Sequence, residues 1–137
     1  MIDRYSRKDL KKIWDEKNKY QIWLDIEIAA TQAMEKIKLI PKGVSARVKK
    51  KATINVDRIH KIESKVHHDV IAFLTSITEK VGPEGRFLHK GMTSSDILDT
   101  CFNIQLLQSG KIISKDIDEL LKVLKNKSLK YKKTVCI

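Results

Sequence analysis

SSDILDTCFNIQLLQSGKIISKDIDELLKVLKNKSLKYKK, residues 94–133, decides the fold. Nothing in it breaks a helix except Gly110, which costs about 1 kcal/mol against alanine. Leu106, Gly110, Ile113, Ile117, Leu120, Leu124 and Tyr131 fall on a heptad-like seam. Leu98, Phe102, Ile112, Leu121 and Val123 widen the apolar surface beyond one stripe. About 40 residues at about 1.5 Å each would extend about 60 Å. A helix so long and so apolar cannot bury its own faces. It demands partner helices, from the same chain or from others.

Upstream, Thr93 with Asp96 fits a capping box at the start of this helix. Gly82-Pro83-Glu84-Gly85 is the strongest loop signal, followed by an irregular segment over residues 86–92. Ile59, Ile62, Val66, Val70, Phe73, Ile77 and Val81 recur at helical spacing. They predict one amphipathic helix, capped by Asp57 and running through to Val81. A short helix is expected over residues 44–52, ended by the Thr53-Ile54-Asn55 turn. Residues 15–38 carry the clearest early helix, with Tyr20, Trp23, Leu24, Ile28, Met34 and Ile37 mostly three or four positions apart. Pro41 and Gly43 then break the pattern. Ser6, three residues before Asp9, has the look of a helix start.

With scarce glycine and proline and no β-branched alternation, the expectation is an all-α chain. A compact amino-terminal helical domain would occupy residues 1–92, and the first long helix of a bundle would begin within residues 93–137. The end at Thr134-Val135-Cys136-Ile137 carries no Gly or Pro terminator, so the remainder of that bundle is expected to lie outside these residues.

The 137 residues suffice for one small domain, or for a domain and part of a second. At 42% hydrophobic the chain can bury a core, which excludes wholesale disorder. No apolar run reaches the roughly 18–20 residues of a membrane span. Met1-Ile2-Asp3-Arg4 lacks the apolar stretch of a secretory signal. Cys101 and Cys136 make no disulfide framework, and neither has a partner at metal-ligand spacing. On one helix they would stand about 50 Å apart, beyond any bridge. A reducing, cytoplasmic setting without a bound metal fits best. The net charge of +11 is compatible with a nucleic-acid partner. However, aromatics are only 6% and there is no arginine cluster, so a solvated lysine surface that attracts small anions is the better reading.

Three places concentrate polar chemistry. His67-His68-Asp69 lies part way along the helix expected over residues 57–81. Adjacent residues there point about 100° apart, so the two histidines cannot chelate one metal. Locally hydrogen-bonded boundary histidines are the plain alternative. His89-Lys90-Gly91-Met92-Thr93-Ser94-Ser95-Asp96 ends on a helix N-terminus. A cap alone accounts for Thr93 or Ser94. The same free N–H groups, two hydroxyls and the positive end of a helix dipole also suit a carboxylate or phosphate, with His89 and Lys90 strengthening the site. Arg4-Tyr5 is the third place. By itself it signals no more than a surface pair.

Arg4-Tyr5-Ser6, His67-His68-Asp69-Val70-Ile71-Ala72-Phe73 and the run from His89 to Thr100 occur in this order and at these separations. Together they resemble the adenylosuccinate lyase family of the fumarase/aspartase superfamily, whose pattern reads R-Y, then H-D-V-V-A-F, then H-x-G-x-T-S-x-D-x-x-D-T. The resemblance covers essentially the whole chain and corresponds to the first third of such an enzyme. The block from His68 to Phe73 favours this branch over argininosuccinate lyases and muconate cycloisomerases.

The resemblance implies a β-elimination that splits adenylosuccinate into AMP and fumarate, and the related carboxamide ribotide intermediate into its aminoimidazole product and fumarate. Neither a metal nor an organic cofactor is required. It assigns Arg4 and Tyr5 to the nucleotide end, and His68 to acid/base assistance or substrate orientation. His67 and Asp69 become neighbouring contacts, although many members have arginine at the position of His67. His89 would lie near the phosphate, and Thr93 and Ser94 would bind the substrate carboxylate. The family's principal acid histidine and its base serine are implied beyond residue 137. Residues 1–137 alone are therefore expected to be inactive, and the full family assembly is a homotetramer with shared sites. The competing reading is a stand-alone basic helical module that binds another protein or a nucleic acid. Low aromatic content and the order of the motifs count against it.

Overall fold

The aromatic stripe of Glu16–Lys36 (α2) is the post on which the other helices pack. Asp15 caps it, its carboxylate accepting from the Lys17 N–H at 3.4 Å. Tyr20, Trp23, Leu24, Ile28 and Met34 are all buried along one side. Trp23 meets Tyr20 and Phe73 edge-on at 5.3 and 5.4 Å between centroids, while Tyr20 and Phe73 stack at 6.0 Å. These are the offset and T-shaped arrangements that aromatic rings prefer.

The computed structural model describes residues 2–135. Around α2 it arranges α1 (Lys8–Ile13), α3 (Val44–Lys51), α4 (Val56–Val66), α5 (Asp69–Val81) and α6 (Ser94–Tyr131). Two 3-10 turns, Asp3–Tyr5 and Gly82–Phe87, complete the chain, and no strand occurs among the described residues. The core joins α2 to Val44 and Val48 of α3, Ile59 and Ile62 of α4, and Val70, Phe73, Ile77 and Val81 of α5. No helix among the described residues is long and apolar enough to cross a membrane.

α6 is a single 38-residue helix, as its sequence predicts. Its buried residues are Ile97, Cys101, Gln105 and Ser109, four apart, forming the row that lies against α1 and α2. The root is partly polar. Gln105 Nε2 and Asn18 Nδ2 both donate to the Ile13 carbonyl at 2.8 Å, which satisfies a carbonyl at the end of α1. Trp14 Nε1 donates to Ser109 Oγ at 3.2 Å. The heptad-like seam is a different face. Leu106, Ile113, Ile117, Leu120 and Leu124 remain about half exposed, with no helix among the described residues covering them.

Several sequence expectations need correction. Residues 57–81 are not one helix. The chain reverses at His67 and His68, where His67 takes the left-handed conformation (φ 52°) and His68 is extended. Reversal lets the apolar faces of α4 and α5 meet each other and α2, which a straight helix would not allow. The ion pair from Arg58, near the start of α4, to Glu79, near the end of α5, closes this hairpin (Nε–Oε2 2.9 Å). The cap of α4 is Asn55, accepting from the Arg58 N–H at 2.9 Å, not Asp57. Arg7 occupies the N-cap of α1, whereas Ser6 donates back to the Ile2 carbonyl at 2.7 Å. α2 stops at Lys36, ahead of Lys38 with its φ of 60°. Cys101 is buried and unbridged, and Cys136 lies outside the described residues.

Candidate functional site

The segment between the Gly82–Phe87 turn and α6 is held by one buried side chain below it. Leu88 is buried. His89 then turns into the left-handed region (φ 58°), and Gly91 does so again (φ 75°). Two such residues close together give a tight reversal that delivers Thr93 to the N-cap of α6. Asp96 accepts from the Thr93 N–H at 2.7 Å, the carboxylate half of a capping box. Thr93 is exposed and Ser94 half-buried. The first N–H groups of a 38-residue helix open here, and their partial positive charge favours an anion.

His89 is fixed from beneath by Glu27 of α2. The His89 backbone N–H donates to Glu27 Oε2 at 2.7 Å, and ring Nδ1 lies 2.8 Å from Glu27 Oε1. The Glu27 side chain is 1% exposed, and that of His89 is 22% exposed. Sequence reasoning missed Glu27. The available signal was a gap: the apolar stripe Tyr20, Trp23, Leu24, Ile28, Met34 skips positions 27 and 31 of the same face. Both Glu27 and Thr31 prove buried.

His67, His68 and Asp69 gather at the α4–α5 reversal. His68 is the N-cap of α5, its Nδ1 accepting from the Ile71 N–H at 3.4 Å and lying 3.6 Å from Asp69 Oδ1. With Nδ1 accepting, the proton of a neutral ring sits on Nε2. Both histidines are exposed. Tyr20 lies buried within reach of the charge on Asp69. Burial, followed by the negative charges of Glu16, Glu63 and Asp69, pushes its hydroxyl up to about 12.

Arg4 and Tyr5 sit in the first 3-10 turn, both exposed, the guanidinium 4.7 Å above the neighbouring ring. Among the described residues, no hydrogen bond or ion pair joins any of the three groups to another. Beside the α6 start, an open groove of about 660 Å³ runs between α2 and α6, with Asp25, Ala29 and Ala30 on one wall and Asp96, Thr100 and Ile104 on the other. The predicted residues His89, Thr93 and Ser94 adjoin this groove in sequence without lining it. No three His, Cys, Asp or Glu side chains among the described residues are placed to hold a metal ion.

The chain is an all-helical unit that sends out one long helix. The chain belongs to the lyase family whose model, described as "Lyase", matches residues 4–137. Within that family it is similar to adenylosuccinate lyases. It is 42% identical over 137 residues to "Adenylosuccinate lyase" of Thermotoga maritima, covering 100% of this chain and 32% of that protein. To the enzyme of the same name in Streptococcus mutans it is 40% identical over 135 residues, 98% of this chain and 31% of that one. The chain thus spans about a third of the length of these relatives and corresponds to an amino-terminal portion. The crystal structure of fumarate lyase from Mesorhizobium sp. BNC1 has the same fold at a TM-score of 0.77 and 20% identity, over 84% of this chain and 28% of that chain. Nothing in these likenesses supports a stand-alone nucleic-acid module.

Proposed function

We propose that this chain supplies the substrate-anchoring part of an adenylosuccinate lyase, cleaving adenylosuccinate to AMP and fumarate in cytoplasmic purine biosynthesis. The related carboxamide ribotide intermediate would be split in the same way. The observation that carries this reading is the 42% identity over 137 residues, the whole of this chain. Chemically, a base removes a proton from the carbon β to the leaving nitrogen. That C–H electron pair becomes the new C=C bond, the C–N bond breaks, and an acid protonates the departing nitrogen. The negative charge that builds on the adjacent carboxylate needs fixed donors. Thr93 and Ser94, at the positive end of α6, are suited to hold that carboxylate. His89 suits the phosphate, and Arg4 and Tyr5 suit the nucleotide end. His68, flanked by His67 and Asp69, would assist proton transfer or orient the substrate.

Principal acid and base would come from segments that residues 1–137 do not include, in a homotetramer whose subunits share sites. Division at residue 93 would leave Arg4, Tyr5, His67, His68, Asp69 and His89 in the amino-terminal unit and put Thr93 and Ser94 at the start of the bundle that assembles. Two measurements test this. Residues 1–137 with adenylosuccinate should release no fumarate. An NMR titration with AMP or fumarate should move amides centred on residues 89–96, weakly and in a salt-sensitive way, and Thr93→Ala with Ser94→Ala should abolish the shifts. Shifts confined to residues 122–133 with RNA or DNA, and none with the small anions, would instead favour a nucleic-acid-binding module.

A further inference from the structure

Glu27 is the one carboxylate buried in the core among the described residues, and the chemistry of the proposed reaction gives it no task. Both of its oxygens are taken by a single residue: Oε2 accepts from the His89 backbone N–H at 2.7 Å, and Oε1 lies 2.8 Å from ring Nδ1. Burying a carboxylate is costly unless it is paired and hydrogen-bonded, so a site that keeps one to grip a single residue by both its backbone and its ring is unlike ordinary packing. The backbone of His89 is at the same time held at φ 58°, a conformation that a side chain with a Cβ adopts only where surroundings enforce it.

We propose that Glu27 is a positioning residue that fixes the tautomer and orientation of His89, keeping Nε2 on the far side of the ring from that carboxylate, four residues before Thr93. An ionised carboxylate only accepts, so the ring must present its proton at Nδ1. Nε2 lies across the ring from that bond, in a side chain that is 22% exposed. The inference rests on the proposed anion site for what the ring does there. When an anion binds, the ring takes up a second proton from solvent at Nε2, so that Nδ1–H is committed to Glu27 and Nε2–H to the anion. Glu27 touches neither ligand nor reacting atom. It acts through His89.

The test is Glu27→Gln, which preserves size. Glutamine replaces one of the two accepting oxygens with an NH₂ group that only donates. The His89 backbone N–H keeps the acceptor, so the amide NH₂ faces Nδ1, and the ring must move its proton to Nε2. Long-range ¹H–¹⁵N spectra should show Nδ1 protonated in the wild type and bare in the variant, with the backbone amide spectrum otherwise superimposable. A purely structural role for Glu27 would leave the ring signature alone, and an unswitched tautomer overturns the proposal. Should the variant fail to fold, the wild-type ring decides: a bare Nδ1 overturns the proposal, and a slowly exchanging Nδ1 proton supports it. Inorganic phosphate supplies the second arm. Its affinity at residues 89–96 should fall about fivefold in Glu27→Gln, the difference between a charged and a neutral donor. Phosphate that moves nothing there in the wild type, alongside a switched tautomer, would remove the anion site of the lyase reading and leave the positioning role of Glu27 standing.

Discussion

A methyl group on Gly85 would meet Thr78 Cγ2 at 2.5 Å, Oγ1 at 2.7 Å and Cβ at 2.9 Å. The turn after α5 packs so closely that only hydrogen fits. Gly85→Ala should therefore cost about 1–3 kcal/mol, read as a lowered Tm. Thr78→Ala in the same chain should recover part of that loss; an unchanged Tm in the single variant would contradict the close approach. Tyr20 gives a pH signature. Its hydroxyl, near 10 in an unfolded chain, is pushed up to about 12 in the folded one. Between those values the unfolded chain sheds a proton that the folded chain keeps, so stability falls as pH rises. Urea unfolding of wild type and Tyr20→Phe across about pH 10–12 should show the smaller loss in the variant. At this scale the sequence was unevenly legible. Thr93 and Asp96 spell their own cap three residues apart. Glu27 does not, because its partner is 62 positions away and a lone carboxylate in a helix reads as solvated.

At the level of elements, helix identity was readable wherever apolar residues kept a regular step, and unreadable where the stop was made by an unusual residue. The α4–α5 reversal has no glycine or proline. Its left-handed residue is His67, and its cap is His68, which caps with a ring nitrogen rather than the oxygen of Ser, Thr, Asp or Asn. Spacing alone continued through it, because residues 59–81 keep helical periodicity on both sides of the break. His67→Gly should consequently raise stability by up to about 1 kcal/mol, since glycine carries no Cβ penalty at φ 52°. Thermal unfolding checks this, and a fall in Tm would mean that the His67 ring contributes packing. Asn55 was passed over for the same kind of reason. Two good caps stood two residues apart, and only the geometry of the incoming turn chooses between them.

For the molecule as a whole, the long helix and its need for partners were legible, but not which of its faces packs at home. The in-chain row of Ile97, Cys101, Gln105 and Ser109 contains two polar residues, so an apolar count passes over it. The face left over is large and continuous, and such faces generally meet a partner. Residues 97–131 should drive self-association, visible as a rising mass with concentration in sedimentation. Because the chain carries a net charge of +11, added salt screens repulsion between copies and should leave that association intact or stronger. Leu120→Glu should abolish it without lowering the Tm of the core, because Leu120 is 57% exposed. A monomer at every concentration, or assembly that dissolves with salt, would contradict the apolar seam.

The polar clasp at the root of α6 also has a kinetic side. The bonds that α6 itself makes there span 82 to 95 positions of chain, from Cys101 to Lys19 and from Trp14 to Ser109, whereas α4 and α5 meet across a turn of two residues. Long loops close late, after local hairpins have formed. Folding should begin with the α4–α5 hairpin on α2 and finish when α6 comes down. Gln105→Ala, which deletes the donor to the Ile13 carbonyl, should thus speed unfolding several-fold in stopped-flow traces and leave the refolding rate nearly unchanged. Last to arrive, α6 should also be first to leave, drawing Ile97 and Cys101 out of the core as it goes.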